Sequence, residues 1–301
     1  MFAINDITAG VLKGDFLLLA KTISSVENKV EGVDDFLQAL LPNAVPIIGV
    51  TGPPGAGKST LISALIGEWI KEGKKIAVLS VDPSSPFHKG AILGDRIRMK
   101  EWYLHPSVFI RSLASRGHLG GLTSSMIELT TLLQSVGFDK IILETVGVGQ
   151  SEVEVASLAD TTVVVLVPEA GDEVQMMKSG LMEIADLFVV NKSDRPDAET
   201  FANHIVQMIM ENGQDVNTIK VIKTVASQGV GVQDLIAAIN THQEDLSKTG
   251  RNIKLVMSKV QQLIVAHKLR QIDSKKMEAA LKDALKSQQF NIFRFTNQYL
   301  D

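Results

Sequence analysis

The sequence predicts an α/β protein: a doubly wound, mostly parallel sheet with N- and C-terminal helical extensions. Three observations carry that expectation. Short runs rich in Val and Ile recur with helical patterns between them, as strands buried on both faces of a parallel sheet do. The first run leads into the glycine-rich stretch "GVTGPPGAGKSTLI", and a helical pattern begins at once after it. Outside residues 44–245 the apolar positions follow helical spacing alone.

In chain order, residues 5–40 read as two short helices ending at "LPNAVP", where Pro42 and Pro46 punctuate. The candidate strands follow: "VPIIGV", "KIAVLSV", "VFIRSL", "KIILE", "TTVVVLV", "LFVVN" and "IKVIKT". From Asn252 onward Ile253, Val256, Val260, Leu263, Ile264 and His267 keep helical spacing, and "KKMEAALKDALK" continues it, so residues 250–287 read as a helical arm. The expected organisation is an N-terminal helical extension over 1–43, a nucleotide-binding domain over 44–245 and a C-terminal arm over 246–301. Over 250–287 acidic residues interleave with the lysines and aromatics are absent, which is a solvated helix face rather than a nucleic-acid patch.

Composition narrows the chemistry. The 301 residues are 45% hydrophobic and 21% charged with a net charge of −4, an ordinary globular balance with no overall pull toward nucleic acid. There is no cysteine, which removes disulfides, thiolate metal sites and cysteine nucleophiles together. The N-terminus carries only the short apolar run "FLLLA" between acidic residues, unlike a signal or transit sequence. No window approaches the roughly 18–20 apolar residues of a spanning helix. The expectation is a cytoplasmic protein without membrane insertion.

Gly52, Gly57, Lys58 and Ser59 satisfy G-x-x-x-x-G-K-[ST], the phosphate-binding P-loop of nucleoside triphosphatases. Several backbone N–H groups must converge on one phosphate, and glycine permits that wrapped path without Cβ clashes. The helix that follows aims its positive end at the same anion. The expected cradle is Gly52, Pro53, Pro54, Gly55, Ala56, Gly57, Lys58, Ser59 and Thr60. Lys58 is placed on the β- and γ-phosphates and Ser59 on Mg²⁺.

"LFVVNKSD" puts Asn191, Lys192 and Asp194 directly after a buried strand. A carboxylate at Asp194 accepts two hydrogen bonds from the N1–H and exocyclic amine of guanine, a donor pair adenine lacks. GTP and GDP are therefore expected over adenine nucleotides. Asn191 would tie neighbouring loops together, and the stem of Lys192 would cover the base plane. Val225, Ala226 and Ser227 form a second base-contact loop, with the Ala226 amide toward guanine O6.

Three acidic residues fall at strand ends or in the loops after them: Asp82, Asp95 and Glu144. Carboxylates there suit holding Mg²⁺ and orienting an attacking water; Asp82, before Pro83, is equally a turn former. Lys58, Asp82 and Glu144 are the candidate catalytic residues, and Ser59, Asp82, Asp95 and Glu144 the candidate metal ligands. Glu144 and Gly147 form E-x-x-G, whose glycine amide would follow the γ-phosphate. Ras-type GTPases carry a water-orienting Gln directly after that glycine. This chain has Val148 there and Gln150 two positions on, which predicts slow intrinsic hydrolysis accelerated by a partner. "SRGHLGGL" and "PEAGDEVQMMKSG" are connections or switch loops. Within them His118 reads as surface or catalytic, Lys178 as facing phosphate or solvent, and Met176 and Met177 as packing.

The set "GPPGAGKST", "VDPSSP", "GAILGDRIRM", "SLASRGHLGGL", "ETVGVGQSE", "GDEVQMMKSG" and "NKSD" resembles the MeaB/ArgK family of P-loop GTPases, over about Gly14 to His242. The resemblance implies a homodimer whose helical extensions serve dimerisation. It also implies a chaperone or gatekeeper of an adenosylcobalamin-dependent acyl-CoA mutase, methylmalonyl-CoA mutase in the family's type cases, with Asp172 to Lys178 as a loop that responds to the mutase. Older family labels describe a LAO/AO transport-system ATPase or kinase, the competing reading, which nucleotide preference separates. Nickel insertion is disfavoured by the missing cysteines and histidine cluster. Two departures stand out: Val225-Ala226 replaces the usual Ser-Ala, and "QQFNIFRFTNQYLD" does not match the family's ending.

Overall fold

The structure, a computed structural model, describes residues 3–82, 99–114, 121–145, 155–168, 180–215, 218–249, 253–286 and 290–299. Each of the seven apolar runs forms a strand: β1 Ile47–Thr51, β2 Ile76–Asp82, β3 Val108–Ala114, β4 Lys140–Thr145, β5 Thr161–Leu166, β6 Leu187–Val190 and β7 Lys220–Lys223. They make one sheet in the order β3-β2-β4-β1-β5-β6-β7. Every neighbouring pair is parallel, so the sheet is wholly rather than mostly parallel. Chain order rises outward from β1 through β5, β6 and β7 on one side, while on the other β4 is inserted between β1 and β2, so the winding reverses beside β1. Ligands of such sheets bind beyond the strands' carboxyl ends, where that reversal opens a crevice.

Helices cover both faces. On one side α1 (Ile4–Lys13), α2 (Leu17–Glu27) and α3 (Val33–Gln38) lie with α5 (Gly121–Ser135). Ile7, Val11, Leu19 and Ile23 share one core with Leu79, Ile141, Leu129 and Leu133. At about 2 kcal/mol per fully buried side chain of this size, the N-terminal helices belong to the core layer. Phe16 reinforces the seam, with its ring 5.5 Å from that of Phe109 and 6.1 Å from that of Phe138. On the other face α4 (Lys58–Lys71) and α8 (Val232–Thr249) pack Leu61, Leu65, Trp69, Leu235 and Ile239 against Val50, Val78 and Val163. The single turn α6 (Met182–Ile184) and α7 (Ala198–Glu211) cover β5 and β6 through Met182, Phe201 and Ile205.

One helical expectation is corrected, and the helical arm is found in two pieces. The N-terminal region holds three helices rather than two, because Gly14, at φ 77°, closes α1 with its amide on the Gly10 and Val11 carbonyls, and α3 starts afresh after Gly32. The arm is split into α9 (Ile253–Gln271) and α10 (Ser274–Ala284). Asp273 causes the break: its Oδ1 accepts the amides of Lys275 at 3.0 Å and Lys276 at 3.1 Å, a strong N-cap. A short α11 (Ile292–Thr296) follows, and the expected boundary at 245 and 246 falls inside α8.

α9 docks on α5 by a narrow stripe. Leu263 packs on the core, Ala266 is buried, and Arg270 Nη2 donates to Glu128 Oε1 at 2.9 Å. Buried Glu128 is also paired with Lys29, in the turn just after α2, so one carboxylate joins the N-terminal layer, α5 and the arm. Burial pushes the Lys29 ammonium below the ordinary lysine range in spite of that partner. Among the described residues no helix is long and apolar enough to cross a membrane.

Candidate functional site

The site is built outward from the end of β1. Thr51 Oγ1 lies 2.9 Å from Thr145 Oγ1, a buried pair that joins the ends of β1 and β4. The chain then turns through Gly52, at φ 134°, where an added Cβ would lie 2.0 Å from the Val165 carbonyl oxygen. At Gly57, φ 89°, a Cβ would lie 2.4 Å from Asn191 Nδ2. Both glycines are thus demanded by backbone conformation and by space. Gly57 is the N-cap of α4, and no side chain caps that helix. Its first amides therefore point into the loop, the geometry of an anion site.

Lys58 is 7% exposed, and its Nζ donates to the carbonyls of Gly52 at 2.6 Å and Pro53 at 2.9 Å, across the loop. Ser59 Oγ donates to Glu144 Oε1 at 2.7 Å. Ser80, on β2, donates to Glu144 Oε2 at 3.0 Å. Both carboxylate oxygens are held, and Glu144 is 3% exposed near the end of β4. The oxygen-only set of a serine hydroxyl and a carboxylate beside the phosphate loop fits Mg²⁺, which takes one or two protein ligands and leaves the rest to phosphate and water. Among the described residues no three His, Cys, Asp or Glu cluster as a metal site.

Asn191 is the knot of the base side. Its Nδ2 donates to the Ala56 carbonyl at 2.8 Å, while its Oδ1 accepts from Thr224 Oγ1 and the Ala226 amide, each at 3.1 Å. One buried side chain thereby joins the phosphate loop, the turn after β6 and the loop after β7. The Ala226 amide, expected to face guanine O6, is engaged by Asn191 here. Lys192, at φ 55°, reverses the chain, and Ser193 N bonds the Thr224 carbonyl at 3.0 Å. Asp194 is exposed, and Val225 and Ala226 are buried while Ser227 is exposed.

Asp82 is the last residue of β2, paired in register with Ala114. Its side chain, together with Asp95, His118, Gly147, Val148, Gln150, Asp172, Met176, Met177 and Lys178, lies outside the described residues. Sequence reasoning missed Ser80, Thr51, Thr145 and Thr224. Ser80 had a signal: it is a lone hydroxyl within the apolar run from Ile76 to Val81. A cavity of about 800 Å³ lies at the other end of the sheet, lined by Pro46, Asp160, Thr162, Asp186 and His242. It touches none of the phosphate-loop residues.

A family model described as methylmalonyl Co-A mutase-associated GTPase MeaB matches residues 19–281. The likeness therefore runs past His242 and takes in most of the arm. A protein of Pyrococcus horikoshii is 40% identical over 94% of this chain and 91% of its own length. GTPase ArgK of Escherichia coli is 38% identical over 79% of this chain and 76% of its own. A solved structure, that of a LAO/AO transport system kinase, superposes with a TM-score of 0.65 at 26% identity, covering 98% of this chain and 96% of that one.

Proposed function

This chain belongs to the MeaB family of methylmalonyl-CoA mutase-associated GTPases, and on that ground we propose that it hydrolyses GTP to GDP and phosphate in the service of an adenosylcobalamin-dependent acyl-CoA mutase. It acts as chaperone or gatekeeper of that enzyme, methylmalonyl-CoA mutase being the foremost candidate. The observation that carries the nucleotide reading is the Asn191 knot. Through it the turn bearing Asp194 is tied to the phosphate loop at Ala56 and to the loop after β7 at Ala226, which supports a triphosphate and a base held by one framework.

The residues divide the work. The stretch from Gly52 to Thr60 cradles the phosphates through its main-chain amides, Pro53 and Pro54 shaping the turn without donating, and Lys58 exchanges its two loop carbonyls for the β- and γ-phosphates. Ser59 and Glu144 hold Mg²⁺, with Asp82 and Asp95 as further ligands. Mg²⁺, when bound there, would supply positive charge that offsets the charge growing at the phosphates during transfer. Asp194 selects guanine by its N1–H and exocyclic amine, with Lys192 along the base plane and Val225 to Ser227 closing the edge. With Val148 where a water-orienting Gln would stand, isolated turnover is slow and the mutase accelerates it. The loop of Asp172 to Lys178 responds to the mutase, the arm joins two copies as a homodimer, and the place of action is the cytoplasm.

A second reading, a transport-linked ATPase or kinase, is favoured by the name of the superposed structure alone. Nucleotide choice separates the two. Asp194→Asn is expected to move preference from guanine to xanthine nucleotides, measured by competition binding. An unchanged preference removes Asp194 from the base site. The mutase role is tested by whether an acyl-CoA mutase co-purifies with the GTP-loaded protein and changes its single-turnover rate; a fast rate without a partner contradicts the gatekeeper reading.

A further inference from the structure

Ser80 has no part in the loop, the base site or the metal ligands named above, yet it is 1% exposed and bonded to the buried carboxylate of Glu144. It stands in a strand with neighbours on both sides, β3 and β4, where a hydroxyl adds nothing to apolar packing. The register of β2 on β4 sets Ser80 opposite Glu144. Glu144 thus receives one hydroxyl from the sheet, on Oε2, and one from the first turn of α4, on Oε1. A glutamate side chain has three torsions, and donors on both oxygens, one from the sheet and one from α4, set the plane of its carboxylate about the last of them.

We propose that Ser80 is a positioning residue for the magnesium site: its hydroxyl fixes the Glu144 carboxylate so that Oε1 stays turned toward Ser59. This rests on the reading that Ser59 and Glu144 hold Mg²⁺. Ser80 itself touches neither metal nor nucleotide. Its loss therefore leaves the phosphate cradle as it is and weakens only what Mg²⁺ adds to nucleotide binding.

The test is a titration of the full chain with a fluorescent GDP analogue, in EDTA and across a Mg²⁺ series, alongside the melting temperature of the nucleotide-free protein. Ser80→Ala is expected to keep the EDTA affinity. It should need on the order of tenfold more Mg²⁺ for the half-maximal gain, the scale of one hydrogen bond to a charged group. Ser80→Thr and Ser80→Val have nearly the same shape and differ in the hydroxyl, so Thr should follow the wild-type Mg²⁺ curve and Val the alanine curve. This pair also decides the matter if the alanine protein fails to fold. If Ala and Val variants melt lower but keep the wild-type Mg²⁺ curve, Ser80 only satisfies a buried carboxylate and the proposal is overturned. If the wild-type protein itself gains nothing from Mg²⁺, the metal reading of Ser59 and Glu144 fails and the proposal falls with it.

Discussion

The carboxyl end of the sheet and the C-terminal arm treat burial in opposite ways. At the first, Lys58, Ser59, Glu144 and Asn191 are polar, between 3 and 7% exposed, and each is bonded within the chain. On the arm, Ile253 is 79% exposed, Met257 53%, Ile264 56% and Phe293 78%. Burying polar groups costs free energy unless every one is bonded, and exposing a run of apolar groups forgoes the gain of burying them. The contrast teaches that the chain satisfies the described polar groups of the candidate site from within, whereas it leaves the arm with an uncovered apolar face. A second copy meeting that face is the homodimer proposed above.

The sharpest way to break the contrast is to remove the lysine. Lys58→Ala should weaken GDP binding by on the order of a hundredfold, the loss of about 3 kcal/mol of charged hydrogen bonding, read by calorimetry. A small change would mean that the loop does not hold the phosphates. Next comes the knot: Asn191→Ala leaves the Ala226 amide and the Ala56 carbonyl without their partner and should cost about 2–3 kcal/mol of stability. Denaturant unfolding of the nucleotide-free protein measures it. No loss would show that the site is not self-supporting.

Glu128→Gln tests the junction between the two regions. Lys29 and Arg270 are about a third exposed, and burial already opposes the charge on Lys29. The ion pairs should therefore contribute only about 1 kcal/mol, with faster amide exchange in α9 and little change in β1 or β4. The smallest effect on folding is expected on the arm's open face. Ile264→Glu should alter protomer stability by no more than about 0.5 kcal/mol, as an exposed substitution does, yet shift the sedimenting species to a monomer. A marked loss of protomer stability would mean that Ile264 is buried within its own chain.

The seven strands were legible because β-branched apolar runs buried on both faces have little other use, and the glycines of the phosphate loop because few backbones demand that spacing. The helical ends were less so. Gly14 and Asp273 interrupt apolar spacing that continues across them, and the break depends on which carbonyls and amides each residue engages in space. Lys58, Ser59, Glu144 and Asn191 could be named from their motifs. The further partners of Glu144 and Asn191 could not: Ser80 and Thr224 are ordinary strand and loop residues until the register of β2 on β4, and the approach of the β7 loop to Asn191, bring them to the site.

The central claim is that a loop of main-chain amides, sealed by Asn191, binds a guanine nucleotide with Mg²⁺. Calorimetry of the full chain with GDP and then ADP, both with Mg²⁺, tests it most directly. Saturable heat from GDP and none from ADP at the same concentrations is the predicted result. Silence from GDP, or equal binding of ADP, would contradict it.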